Sequence, residues 1–395
     1  MKHNYTTLAA ILASGMILAA CSGGDKKAAA ASGDASVIKI ASVGPLSGGL
    51  AAVAKDYRDG ALLAVEEVNA AGGIEIGGKK HLVELVSEDD AGDPKQGAVV
   101  AQKIVDDKGI SAVVGHYNSG IMIVTQPIFA KASLIALTVT TNPDVTAKAI
   151  KNDAGDTTIF RVVAPDTKQG PALAVYAQKQ GYKKIAIIDD ATAYGKGVAD
   201  QVTKKAKELG MDIVYHDSAT NTTTDFKGIL TKIKAEGADA IMWGGLDDTA
   251  AVLAKQTREL GLKSALLMPD GVCIENYMKL TGAAGEGTIC SLTALPLNEM
   301  PEGVAFKERF EKRFTGQKVQ GYAPYGYDSV LTIVDAIKKA NSAEPLKVAA
   351  AMKDISSKVL SGTMAFDNAT GERKDSTVTI VQQKGDAFVT VDKIK

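Results

Sequence analysis

From Val37 onward, short apolar runs alternate with longer segments in which apolar residues recur at helical spacing. The runs Val37–Val43 and Ser111–Val114 are typical of buried strands, and the segment Pro94–Asp107 has a proline in its first turn, as many helices do. Strands that alternate with helices of about ten to fifteen residues form parallel sheets through crossover connections. The alternation therefore predicts an α/β fold.

The alternation runs in two series, from Val37 to Leu137 and from Gly170 to Met268. Together they are too long for one compact sheet, and 395 residues at roughly 150 per domain suggest two or three domains. We therefore predict two doubly wound domains. The C-terminal third breaks the alternation: it predicts helices at Pro301–Phe314, Asp328–Lys339 and Leu346–Lys353, then short strands at Val378–Val381 and Phe388–Val391.

The N-terminus has the pattern of an export signal. Residues 1–20 carry a lysine before the apolar run Leu8–Ala20, which is too short to span a bilayer as a permanent helix. Cys21 follows two small residues, as in a bacterial lipobox, so we predict a lipid on Cys21; an ordinary secretory signal with a coincidental cysteine is the alternative. Residues 21–36 are rich in small residues and predict a flexible tether. The sequence therefore predicts an exported protein that is held at a bacterial membrane by its lipid alone.

Two further cysteines, Cys273 and Cys290, remain in the mature chain. An oxidising compartment permits a disulfide between them. The alternative is that both are small buried apolar residues. The sequence leaves this choice open.

Charge and motifs argue against nucleic-acid binding and catalysis. Lys and Arg total 45 against 46 Asp and Glu, which leaves no basic surface for nucleic acid. The sequence contains no nucleophile elbow, zinc-protease motif or paired-cysteine motif, and His81, His116 and His216 do not have metal-ligand spacing. Gly73–Lys80 resembles a phosphate-binding loop, but it lacks the Ser or Thr and precedes a strand, so it predicts a hairpin turn. We expect no cofactor, no metal and no enzymatic activity.

Ligands of open α/β sheets bind beyond the carboxyl ends of the strands, where this chain has several polar groups. Ser119 precedes a predicted helix, so it either caps that helix or contributes to a carboxylate site. The segment Thr138–Pro143 either offers hydroxyls to a ligand or forms a simple loop. Tyr194 could face an ammonium or pack on a neighbour, and Asp270 could pair with an ammonium or belong to a turn.

Taken together, these segments resemble the periplasmic leucine/isoleucine/valine-binding proteins in order and spacing over nearly the whole mature chain. The segments that carry the resemblance are Ile38–Gly48, Asp89–Ser119, Thr141–Pro143, Tyr194-Gly195, Gly244-Gly245 and Pro269–Gly271.

The resemblance implies a type I periplasmic-binding fold, in which two Rossmann-like lobes are joined by three hinge crossings. Lobe 1 would comprise residues 37–163 and 293–362, and lobe 2 residues 164–292 and 363–395. The family implies a monomer that delivers a small neutral amino acid to the transmembrane subunits of an ABC permease.

The resemblance also implies residue roles. Ser119, Thr141 and the main chain around Val139 and Thr140 would hold the ligand α-carboxylate, while Tyr194 and Asp270 would hold its α-ammonium. Asp270 stands where relatives carry a glutamate.

Other positions depart from the family pattern. Val53 and Leu246 stand where relatives often have tyrosines that line the side-chain end of the site, and Gly92 and Asn118 stand where relatives have a disulfide. We expect a binding protein for a branched-chain or other neutral amino acid that closes about its hinge. The alternative is a sensor of the same fold for an amide, urea or aromatic acid.

Overall fold

The computed structural model describes residues 37–148 and 150–394. The predicted signal peptide, Cys21 and the tether lie outside these residues. Among the described residues, no helix is long and apolar enough to span a membrane.

The first sheet has six strands in the order β2-β3-β1-β4-β5-β6, and only β2 runs antiparallel to its neighbour. The turn between β2 and β3 contains Gly77 and Gly78, both with positive φ angles, so the predicted hairpin at Gly73–Lys80 is confirmed. The strands are β1 Val37–Gly44, β2 Ile74–Ile76, β3 Lys79–Asp89, β4 Ile110–Val114, β5 Ile135–Thr138 and β6 Ile159–Arg161.

The second sheet has seven strands in the order β15-β14-β11-β10-β9-β7-β8, with β14 and β15 antiparallel at one edge. Its strands are β7 Lys184–Asp189, β8 Asp212–Ser218, β9 Ala240–Gly244, β10 Ala265–Met268, β11 Ile289–Leu292, β14 Val378–Lys384 and β15 Ala387–Ile394. A separate hairpin pairs β12 Ser356–Val359 with β13 Gly362–Ala365.

Both large sheets are covered on both faces. Ile40 of β1 belongs to one apolar core while its neighbour Ala41 belongs to another, and Met242 and Trp243 of β9 likewise belong to two different cores.

The helices are α1 Ala51–Ala70, α2 Pro94–Asp106, α3 Ser119–Lys131, α4 Asp144–Ala147, α5 Asp166–Lys179, α6 Ala193–Glu208, α7 Lys227–Glu236, α8 Asp247–Glu259, α9 Glu275–Thr281, α10 Gly303–Arg313, α11 Ala323–Ala340 and α12 Pro345–Ala351.

Helices α1 and α11 pack unusually closely. A Cβ atom at Gly60 would overlap the carbonyl oxygen of Ala323, and one at Gly326 would overlap that of Tyr57. Because only glycine fits both positions, the two helices approach backbone to backbone, and α11 is fixed to the first sheet through α1.

The chain passes between the two sheets after β6, after β11 and before β14. The first two passages lie next to each other, since the Ala164 amide donates to the Thr293 carbonyl at 2.9 Å. The third passage lies later in the chain than the boundary predicted between residues 362 and 363. The amide of Arg161 in β6 donates to the Gly371 carbonyl, and Phe366 packs in the apolar core that contains Ile40. Residues through Arg373 therefore stay beside the first sheet, because the loop after β13 bonds to β6.

Cys273 and Cys290 form a disulfide with a Cα–Cα separation of 5.9 Å. The bond joins the segment after β10 to β11, so it braces the loop that begins with Asp270.

Candidate functional site

A cavity of about 260 Å³ lies beyond the carboxyl ends of strands from both sheets. Segments following β4, β5, β7, β9 and β10 contribute to its wall, as the strand-end rule predicts. The lining residues are Leu50, Gly92, Pro94, Tyr117, Asn118, Ser119, Gly120, Ile121, Val139, Thr140, Thr141, Thr192, Ala193, Tyr194, Asn221, Leu246, Asp270, Gly271 and Tyr322.

The structure brings seven of the eight predicted ligand-binding residues to this cavity: Ser119, Val139, Thr140, Thr141, Tyr194, Leu246 and Asp270.

The placement of Val53 at the site was wrong. This side chain is 3% exposed and packs in the core beside the first sheet. The physical reason is that Val53 lies in the first turn of α1, which begins at Ala51, and on the face of that helix that packs in the core.

On the first-lobe side, α3 directs its N-terminus at the cavity. Asn118 is the N-cap and makes no side-chain cap bond, while the amides of Ile121 and Met122 donate to its carbonyl. Ser119 is therefore the first helical residue rather than the cap, and its hydroxyl accepts a long bond (3.4 Å) from the Asn142 amide. The first amides of a helix lack carbonyl partners within it, so this end suits a carboxylate.

A buried arginine that the sequence analysis missed supports the neighbouring loop. The Arg161 guanidinium donates to Thr140 O at 2.6 Å and to Asn142 O at 2.9 Å, and it pairs with Glu372 at 3.1 Å. Arg161 therefore fixes the backbone of residues 140–142. The signal was a lone arginine at the end of the apolar strand β6, which the search for polar groups after strands passes over.

On the second-lobe side, Asp270 and Tyr194 form one unit. The Tyr194 hydroxyl donates to Asp270 Oδ1 at 2.8 Å and accepts from the Gly271 amide at 3.0 Å. Burial raises the pKa of Asp270 and of Tyr194, since a charge in this cavity loses its water. A Cβ at Gly271 would lie 2.7 Å from Leu246 and 3.0 Å from the Tyr194 hydroxyl, so only glycine keeps this arrangement.

Tyr322, Thr293 and Gln169 complete the surroundings of Asp270, and the sequence analysis found none of them. The hydroxyls of Tyr322 and Thr293 lie 3.2 and 3.4 Å from Asp270 Oδ2, and Gln169 accepts from the Asp270 amide at 2.7 Å. Tyr322 comes from the start of α11 rather than from the end of a strand. The only available signal was its position two residues before Pro324, which marks a helix start.

Asp56 on α1 holds Tyr322 in place. Its carboxylate accepts from the amides of Gln320, Tyr322 and Ala323 at 2.8–2.9 Å. Tyr322 is the N-cap of α11 and Ala323 its first residue, while Gln320 lies in the loop before them, so α1 contributes to the site through Asp56 rather than through Val53.

A second buried carboxyl, Asp166, lies close to Asp270. Gln169 connects them, because its Nε2 donates to Asp166 Oδ1 at 2.9 Å while its Oε1 accepts from the Asp270 amide. Burial, with the charge of Asp270 as a second cause, raises the pKa of Asp166 to about 7. The site thus holds two interacting carboxyls, one of which titrates near neutral pH.

The cavity wall also contains apolar residues, among them Leu50, Pro94, Ile121 and Leu246. Tyr117 also lies there, and its ring meets that of Tyr322 edge-on at a centroid distance of 5.1 Å. The site therefore has three tyrosines, Tyr117, Tyr194 and Tyr322, although none is at the position of Val53 or Leu246.

A larger groove of about 810 Å³ lies on the other side of Asp270 and Tyr322, which line both spaces. Lys318 and Glu275 form an ion pair of 3.3 Å in its wall. Of the predicted ligand-binding residues, only Asp270 reaches this groove.

The smaller cavity has no Lys, Arg or His among its lining residues. Within residues 37–148 and 150–394, no group of three His, Cys, Asp or Glu side chains is placed to hold a metal ion. The arrangement has a helix end for an anion, a buried carboxylate for a cation, and an apolar wall. These are the complements of a small zwitterion with an apolar side chain.

Known proteins that are similar to this chain are binding proteins. A family model described as periplasmic binding protein matches residues 37–387. Leu/Ile/Val-binding protein homolog 2 of Brucella abortus is 35% identical over 327 residues, 82% of this chain and 84% of that protein. The leucine-, isoleucine-, valine-, threonine-, and alanine-binding protein of Pseudomonas aeruginosa is 31% identical over 359 residues, 90% of this chain and 92% of that protein.

Among solved structures, the chain is similar to the branched-chain amino acid transporter substrate binding protein LivJ from Streptococcus pneumoniae, in complex with isoleucine. The TM-score is 0.79 at 26% identity, covering 91% of this chain and 99% of that chain. The predicted fold class of two doubly wound lobes is confirmed.

Proposed function

Since the chain belongs to the periplasmic binding protein family, we propose that it is the extracytoplasmic substrate-binding protein of an ABC importer. Its ligand is a branched-chain or other neutral amino acid, bound between the two lobes. The names of the relatives support this class, because they describe binding of leucine, isoleucine, valine, threonine and alanine. Family membership also argues against an enzyme, since such proteins bind and deliver substrates.

The observation that carries the proposal is the environment of Asp270. This carboxylate is 7% exposed, and its side-chain partners are the hydroxyls of Tyr194, Tyr322 and Thr293. None of the cavity-lining residues is a cation. A buried carboxylate is costly unless it is paired, so an α-ammonium is the group that this position favours.

The first lobe has groups that suit the α-carboxylate, the other charged group of the ligand. The N-terminus of α3 and the loop held by Arg161 present backbone donors to a carboxylate, and Ser119, Thr140 and Thr141 add hydroxyls. An aliphatic side chain would then lie against Leu50, Ile121 and Leu246.

The mechanism follows from this division of contacts. The carboxylate site is on one lobe and the ammonium site is on the other, so a ligand that carries both groups bridges the lobes and stabilises the closed form. Closure then presents one defined surface to the permease, which is the proposed partner. Release requires the lobes to separate, which breaks the bonds on one side.

The N-terminus supplies the cellular location in this proposal. Residues 1–20 would direct export, Cys21 would carry the lipid, and residues 21–36 would tether a monomeric binding domain to the membrane. Cys21→Ser should move the protein from the membrane fraction to the soluble extracytoplasmic fraction. If the variant stays with the membrane, the lipid is not the anchor.

A thermal-shift screen tests the ligand class, because a ligand that binds only the folded state raises the melting temperature. The screen should contain the twenty amino acids, small amides, urea and aromatic acids. We expect shifts for leucine, isoleucine, valine and alanine, and none for these ligands in Asp270→Asn. Shifts for an amide or an aromatic acid alone would contradict the proposal and favour the sensor hypothesis.

A further inference from the structure

The side chain of Asn142 connects the two lobes directly. Asn142 follows β5 of the first sheet, and its Nδ2 donates to the carbonyl of Ala193 at 2.6 Å, in the first turn of α6 beside the second sheet. The residue is 9% exposed and is not among the residues that line the cavity. The bond therefore joins the lobes next to the ligand site without belonging to its wall.

Asn142 is held rigidly on its own side of the boundary. Its Oδ1 accepts from the Asp144 amide at 2.8 Å, and its carbonyl accepts from Arg161 at 2.9 Å. With the backbone and Oδ1 fixed in this way, Nδ2 points in one direction. Little side-chain entropy remains to be lost when the bond to Ala193 forms.

The facing surface of α6 is shaped to admit this side chain. A Cβ built at Gly197 would lie 2.5 Å from Asn142 Nδ2 and 3.1 Å from Asp166 Oδ2. Gly197 is within a helix, where glycine costs about 1 kcal/mol relative to alanine, so helix stability does not explain it. The missing side chain instead leaves the space that the Asn142 amide occupies.

We propose that Asn142 is a positioning residue that latches the two lobes in their closed arrangement, with Gly197 as its receptor on α6. The inference rests on the proposed function for its effect on affinity, but the latch is a contact between two parts of the protein. It therefore strengthens the binding of every ligand by the same factor and does not change the preference among ligands. Loss of the latch acts mainly on the dissociation rate, because an open form releases ligand.

Three single variants test the proposal. Asn142→Asp keeps the acceptor for the Asp144 amide but has no donor for Ala193. Gly197→Ala leaves Asn142 intact and fills its receptor space. Gly228→Ala is the matched control, since Gly228 lies in α7 of the same lobe and a Cβ there would meet nothing within 4 Å.

Affinities for alanine, valine and leucine should fall about three- to tenfold in Asn142→Asp and in Gly197→Ala, the range expected for one hydrogen bond. The fall should be equal for the three ligands, and the melting temperature of ligand-free Gly197→Ala should not decrease. Gly228→Ala should bind as the wild type does. In Asn142→Ala, the further substitution Gly197→Ala should have a smaller effect than in the wild type, because the opposing amide is gone.

A second readout does not need an amino-acid ligand. Small-angle X-ray scattering of the ligand-free proteins should give a smaller radius of gyration for the wild type than for Asn142→Asp or Gly197→Ala. Unchanged affinities, a fall that differs among the three ligands, or equal radii would each overturn the latch. A wild type that binds no amino acid while the radii differ would instead overturn the proposed function and support the latch.

Discussion

Asp56 and Asp270 are two buried aspartates in different surroundings, and they meet at one residue. Asp56 accepts from the amide of Tyr322, and Asp270 accepts from its hydroxyl. Both side chains are buried, and burial raises the pKa of both, that of Asp56 to about 7. Among the described residues, neither forms an ion pair within 4.0 Å with a Lys, Arg or His.

Their hydrogen-bond partners differ. Asp56 has three backbone amides at and just before the N-terminus of α11, and the dipole of this helix end compensates the carboxylate. Asp270 has hydroxyls from three separate segments and borders a cavity. The Asp56 carboxylate thus has its compensating groups within the protein, whereas the Asp270 carboxylate needs a cation. Burial alone does not identify a ligand-binding carboxylate, but the nature of its partners does.

The largest effect expected from this comparison is on ligand affinity. Asp270→Asn removes the partner of the α-ammonium, and losing one member of a desolvated charge pair costs about 2–5 kcal/mol, or roughly thirty- to several-thousandfold in affinity. The free energy of unfolding of the ligand-free protein should stay the same or rise, because an uncompensated buried charge is gone. Calorimetry and urea unfolding measure the two quantities. Unchanged affinity would assign Asp270 to the structure rather than to the ligand.

Asp56→Asn should show the converse pattern. The asparagine puts an NH₂ group against backbone N–H donors, so the free energy of unfolding should fall by about 2–3 kcal/mol. Affinity should fall less than tenfold, and only because Tyr322 is held less firmly. Urea unfolding and calorimetry on the same preparation measure both changes. A loss of affinity as large as in Asp270→Asn, with normal stability, would contradict the assignment of Asp56 to the structure rather than to the ligand.

A smaller effect concerns protons. Burial, with the charge of nearby Asp270 as a second cause, raises the pKa of Asp166 to about 7, so near pH 7 roughly half of the Asp166 carboxyls are protonated without ligand. An ammonium at Asp270 stabilises the ionised form of Asp166 and lowers its pKa. Binding should therefore release a fraction of a proton.

Calorimetry at about pH 7 in two buffers with different ionisation enthalpies measures this release. Asp166→Asn should reduce it while binding persists. Proton uptake on binding, or the same release in the variant, would contradict the coupling of the two carboxyls.

The smallest effect is on ligand preference. Leu246→Tyr reduces the space in the cavity, so phenylalanine should bind less well while alanine and valine keep or improve their affinity. Apolar fit is worth about 1–3 kcal/mol per methylene, so changes of a few-fold to a hundredfold are expected. Competition among alanine, valine, leucine and phenylalanine gives the rank order. Val53→Ala is the control, since Val53 lies in the core and its loss should lower stability without changing the order.

The sequence predicted the polar end of the site better than the rest. Ser119, Thr141, Tyr194 and Asp270 follow strands of a parallel sheet, and the ends of such strands converge in any fold of this class, so their order in the chain was enough. The helices and strands were also predictable, apart from short elements such as β6, β12 and α4, which have too few residues to show a period.

Other features depend on contacts that strand order does not determine. Tyr322 reaches the site because Asp56 fixes the start of α11, which is a contact between helices far apart in the chain. Val53 was misplaced because its role was inferred from the tyrosines of relatives, whereas in this chain it lies in the first turn of α1 with its side chain in the core. The third passage between the lobes was placed too early, because the loop after β13 bonds to β6 rather than continuing directly into β14.

The close packing of α1 against α11 has a consequence for how the chain acquires its structure during synthesis. α1 ends at Ala70, whereas α11 begins at Ala323, and the strands β14 and β15 come later still. A nascent polypeptide that ends before α11 lacks the helix that covers α1 and two strands of the second sheet, so the cores that contain α11 or β14 cannot close. Contacts between segments so distant along the chain form late. The polypeptide therefore remains incompletely folded until its last fifth is available, which suits a protein proposed to cross a membrane as an unfolded chain.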